Sequence, residues 1–136
     1  MQVTGRSIVI FVSVVGAAAF ASGWWLTANV RETAHRTDAE LDGLARVLHT
    51  WAGSHGGDYP TSEAAFLAGC GTADREAVQG WLRHVQVRWP PTGDLAPVLE
   101  ANGLPTGLGT LDRLNGDLRG SARRRPAPDS GARATP

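Results

Sequence analysis

Lysine is missing from this 136-residue chain: all 13 basic residues are Arg, and 13 acidic residues balance them to a formal net charge of zero. A general nucleic-acid binder would carry a basic excess, so that class is set aside. The Arg bias, with abundant Ala and Gly, reads as a compositional habit rather than as recognition. Cysteine occurs once, at Cys70, which excludes an intramolecular disulfide and any disulfide scaffold. Its expected role is a small buried apolar residue. Phosphate-loop glycine spacing is missing as well, since no G-x-x-x-x-G-K-[ST] occurs. The four histidines do not pair at zinc-ligand spacing: His49 and His55, with Asp58, lie close in sequence, but His35 and His84 stand apart. No catalytic group, cofactor site, metal site or small-molecule substrate is therefore expected, and the chain reads as non-enzymatic.

Charge is also missing from one long stretch, Ser7–Leu26. As a helix at 1.5 Å per residue it reaches about 30 Å, the thickness of a hydrocarbon core. Ile8, Val9, Ile10, Phe11, Val12, Val14 and Val15 supply the apolar mass. Trp24 and Trp25 fall at the interfacial depth that indole rings favour. A single-pass transmembrane anchor is expected over residues 1–28, in the inner (plasma) membrane with the body on the extracytoplasmic side. The competing reading is a signal peptide cut at Ala19-Phe20-Ala21.

Beyond the anchor, Val30, Ala34, Thr37, Leu41, Leu44, Leu48 and Trp51 recur at spacings of three and four. Charged residues cover the remaining faces, which predicts an amphipathic stalk helix over 29–52 continuous with the anchor. Gly43 is its one weak point, and Gly53-Ser54-His55-Gly56-Gly57 ends it. Val30, Ala34, Leu41, Leu44, Leu48 and Trp51 form the candidate partner-binding face. Its occupant is either the chain's own body or a second copy in a short coiled coil.

Residues 53–119 read as one small domain. Helices are expected at Glu63–Ala68, capped by Thr61 or Ser62, at Ala73–His84, capped by Thr72, and at Leu95–Ala101, capped by Asp94. Val85–Trp89 alternates as a strand. Leu108–Leu118 is left between a helical turn and a loop, and 120–136 reads as a disordered tail. The fold class is mostly α, a long transmembrane-plus-stalk helix followed by a small α-rich domain with at most a minor β element.

Leu41, Leu44 and Leu48, the turn Gly56-Gly57-Asp58, then Tyr59, Pro60, Thr61 and Glu63 together resemble the start of the soluble domain in type IV pilin-like proteins. The likeness is greatest to the major pseudopilins of type II secretion. Two positions depart from that pattern: Arg6 follows Gly5 where the family has an aromatic residue, and Ile10 stands where it has Glu. The resemblance implies a structural subunit of a secretion or pilus-type assembly in the cell envelope, with partners or self-association through the N-terminal helix. It also implies calcium near a C-terminal loop, where Asp112, Asn115 and Asp117 are the available oxygen donors, although Leu114 interrupts their alternation. The alternatives are a bitopic scaffold or adaptor working through the stalk, and a secreted binding domain released by signal-peptide cleavage.

Overall fold

The computed structural model describes residues 5–124, with side chains from residue 15 onward. Its first element, α1, runs unbroken from Gly5 to Ser54. Fifty residues make a rod of about 75 Å, so the segments expected as anchor and stalk form one helix. Its end follows the glycines: Gly56 has φ +67, and Gly57 N–H donates to Ala52 O at 2.8 Å. That bond closes the last turn and satisfies a carbonyl left over at the helix end.

Helix α2 spans Glu63–Gly69, with Ser62 as its cap accepting from Ala65 N–H at 3.2 Å. Helix α3 spans Thr72–Trp81, and its cap is Gly71 rather than the expected Thr72, which lies inside the first turn. The two helices are stapled by Arg75. Its Nε donates to Leu67 O at 2.9 Å, and a terminal nitrogen donates to Cys70 O at 3.3 Å. The cation thus satisfies carbonyls at the end of α2.

Strand β1, Gln86–Arg88, lies within the expected strand and pairs antiparallel with β2, Val98–Glu100, with Val87 opposite Leu99. The pairing corrects the helix expected over Leu95–Ala101. Pro97 restrains Ala96 away from helical angles, and a lone β1 would leave its backbone groups without a ladder. Arg88 and Glu100 add a cross-strand ion pair. Beyond Asn102 and Gly103, both at positive φ, α4 runs from Thr110 to Arg123. It takes up the segment left open between turn and loop. It also extends past Gly120, so the expected tail begins no earlier than residue 124, and 125–136 lie outside the described residues. Asp112 in its first turn and Arg123 in its last complement the helix dipole.

The core forms where these elements meet the second half of α1. Leu41, Leu44 and Leu48 are at 0% exposure beside Phe66, Val78, Leu99 and Leu118. Leu114 and Leu118 carry the buried stripe of α4. Asn115 binds the edge of β2, accepting from Leu99 N–H at 2.8 Å and donating to Leu99 O at 3.1 Å. Its amide thereby acts as a one-residue third strand and covers an edge that would otherwise pair with another chain. Lower on α1, both Asp38 carboxylate oxygens accept from Gly107 N–H at 3.0 Å. Higher up, Arg113 meets Asp42 at 3.0 Å, and Tyr59 OH lies 3.4 Å from both His49 Nδ1 and Leu118 O. These contacts climb α1 and α4 in step, so the two helices run in the same direction.

Candidate functional site: the uncovered half of the first helix

The body divides α1 into two unlike halves. From Thr37 to Ala52 the apolar stripe is buried against the chain's own elements. Below it, Val15, Phe20, Trp24, Trp25, Leu26 and Val30 are exposed, with Trp24 at 71% and Trp25 at 67%. Scattered surface apolar residues are ordinary, but a run of large ones on a single helix marks an interaction surface. Among the described residues, the serine and threonine hydroxyls of this half turn inward on the helix itself. Ser22 donates to Ala18 O at 2.8 Å, and Thr27 donates to Gly23 O and Trp24 O at about the same range. Such back-bonding removes polar groups from the helix surface.

The stalk face therefore splits. Leu41, Leu44 and Leu48 are taken by the body, so a coiled coil through them would need the body to leave. Trp51 is half-buried: its ring stacks on His55 with centroids 3.6 Å apart and lies over Gly69. Its Nε1 meets no acceptor among the described residues. Val30 is exposed and Ala34 partly so, which leaves only the lower end of the face open to a partner.

Tyr59 and Pro60 of the Tyr-Pro-Thr segment are buried, and Thr61 is exposed. Tyr59 N–H donates to Gly93 O at 2.8 Å, and its ring seals the upper core. Burial pushes the phenol above its ordinary value, partly offset by a hydrogen bond with Ser121. Tyr59 and Pro60 thus work as an internal fastener. Burial likewise pushes the Cys70 thiol up, Asp74 adds to the rise and Arg75 opposes it. A protonated, enclosed sulfur is a poor nucleophile.

The donors implied for calcium do not converge. Asp112, Asn115 and Asp117 sit on α4, and Asn115 spends its amide on β2. His49 faces Tyr59, and His55 Nδ1 lies 2.8 Å from Trp51 O. Among the described residues no group of three His, Cys, Asp or Glu side chains is placed to hold a metal.

Among the described residues, no helix is long and apolar enough to cross a membrane. Ser7–Val14, the most apolar part of the expected anchor, has side chains outside the described residues. The membrane-spanning character expected of Ser7–Leu26 thus rests on sequence.

Two close approaches escaped the sequence reading, which took Gly43 only as a weak point of the stalk. Gly43 is where the Trp81 ring lies on α1: a Cβ there would stand 2.6 Å from the ring edge. Gly107 is where the loop meets Asp38, and a Cβ there would stand 2.6 Å from the carboxylate. A glycine inside an otherwise periodic helix was the available signal for the first. Nothing local marked the second.

Comparison with protein-family models, with characterised proteins and with solved structures finds no match to this chain.

Proposed function

We propose that the chain is a non-enzymatic, membrane-anchored envelope protein, a structural subunit of pilin or pseudopilin type. One observation carries this: a single 50-residue helix buries its upper half in its own body and leaves Phe20, Trp24, Trp25 and Leu26 uncovered. Water is a poor environment for that surface. A lipid interface, or the same helix from neighbouring copies, would suit it. The resemblance to pseudopilins is carried by the sequence of the Tyr59-Pro60-Thr61 segment and the glycine turn before it. The calcium loop is not part of the reading, because its donors diverge. The adaptor alternative loses most of its contact face to the core.

Cell fractionation of the full chain, with a Phe20→Cys, Cys70→Ala variant, tests this. The expected result is a membrane protein resistant to alkaline extraction, with the introduced thiol shielded from an impermeant maleimide and crosslinking between copies. Sequencing the mature N-terminus adds a second readout. A start at Ser22, with the protein washed free of membranes, would overturn the proposal in favour of a secreted domain.

A further inference from the structure

The body carries an apolar cavity at one end and an apolar knob at the other. The cavity, about 650 Å³, lies where the hairpin meets the end of α4, with Trp89, Pro91, Leu95, Ala96 and Ala122 among its walls. That volume suits several residues of peptide better than one side chain. Arg119 and Arg123 stand on its rim, and among the described residues neither makes an ion pair. Arg88 and Asp94 also line it, but Arg88 is engaged by Glu100 and Asp94 has a partner.

The knob is Leu108, fully exposed, in the uncharged run Gly103–Leu111. Asp38 holds the preceding Gly107, so the loop is fixed rather than free. Asp112 lies four residues on, exposed and without an ion pair among the described residues. The knob is thus apolar with an acidic neighbour, and the cavity is apolar with a basic rim. Helix α4 separates them, and its 14 residues span about 21 Å. Joining two different patches is a heterologous contact, which propagates unless rotation closes a ring. The chain's own residues 125–136 suit the cavity poorly. They bring Arg125 and Arg133 against a single Asp129, and no bulky apolar side chain.

We infer that the Leu108 loop of one copy seats in the Trp89–Ala122 cavity of the next, with Asp112 facing Arg119 and Arg123. The result is a head-to-tail row of bodies. This rests on the subunit reading above and specifies its body-to-body contact. The test is disulfide trapping of the full chain in native membranes, on a Cys70→Ala background. A chain carrying both Leu108→Cys and Ala122→Cys gives a ladder of multimers on mild oxidation, and each single variant gives none. Asp112→Arg lowers the ladder on the order of tenfold, and Arg119→Asp with Arg123→Asp restores it.

Three results would overturn the contact: no ladder from the doubly substituted chain, equal dimers from Leu108→Cys alone, or a ladder indifferent to Asp112→Arg. So would an Ala122→Cys thiol that resists a small maleimide in detergent-dispersed monomers, since the cavity would then be filled from within the chain. The Phe20→Cys crosslink keeps the two readings apart. If it persists without a ladder, only this contact fails, whereas a ladder without it removes the membrane-helix packing and leaves this contact standing.

Discussion

Gly43→Ala should destabilise the protein although it places a better helix former inside a helix. Two effects oppose each other. In an open helical site, Gly to Ala gains up to about 1 kcal/mol. At Gly43 the new Cβ would stand 2.6, 2.9 and 3.1 Å from three carbons of the Trp81 ring, where ordinary contact begins near 3.5 Å. The ring is half-buried against the core, so its retreat opens a gap there. Overpacking of this sort costs about 1–3 kcal/mol, so the net change is a loss of about 0–2 kcal/mol. The control is Gly116→Ala in α4, where a Cβ meets nothing within 4 Å and the helical gain should appear alone. Urea unfolding of the full chain in mild detergent, followed by tryptophan fluorescence, gives both midpoints. The two variants should differ by about 1–3 kcal/mol, the overpacking cost itself. Trimming the ring with Trp81→Leu should remove most of that difference, a coupling of about 1–3 kcal/mol. If Gly43→Ala and Gly116→Ala stabilise equally, the close approach of α3 to α1 is wrong.

Two other outcomes follow from the same packing. Asn115→Ala leaves Leu99 N–H and C=O without their side-chain partner, and Leu99 is at 1% exposure. The cost should be about 1–3 kcal/mol in urea unfolding, with Asn115→Asp failing to rescue because a carboxylate cannot donate to the carbonyl. The buried Cys70 thiol should make folding sensitive to alkali. Its folded pKa lies above its ordinary 9.0, so its contribution is full below pH 9 and is lost as pH rises towards the folded value. Cys70→Ala should flatten the first part of the alkaline stability profile, and a further fall above pH 10 should remain with Tyr59, raised from 10.0.

Much of the helical frame was legible because its signals are local. The stripe through Leu41, Leu44 and Leu48, the glycine stop after Ala52, and Ser62 ahead of Glu63 each depend on a few neighbouring residues. Strand β2 was not legible, because Val98-Leu99-Glu100 alternates too briefly to outvote a helical window, and only its pairing with β1 decides it. Helix α4 was hidden by Asn115, Gly116 and Gly120, poor helix formers tolerated once Leu114 and Leu118 reach the core. For the candidate site, sequence periodicity named the stalk face but could not say who fills it. The answer depends on Phe66, Val78, Leu99 and Leu118, which arrive from distant parts of the chain. It divides the face between the protein's own core and the lower end still open at Val30 and Ala34.

The parallel run of α4 beside α1 also determines how the body bears load. If the lower helix is held while the body is pulled along the axis, force enters through α1 and leaves through neighbours lying alongside it. Asp38–Gly107, Asp42–Arg113 and the Leu44 and Leu48 contacts are then strained together, in shear, rather than peeled apart one after another. Tension applied across the axis, prising α4 outward from the Gly107 end, would open the same contacts singly. A body attached in this way resists drag along its helix better than sideways.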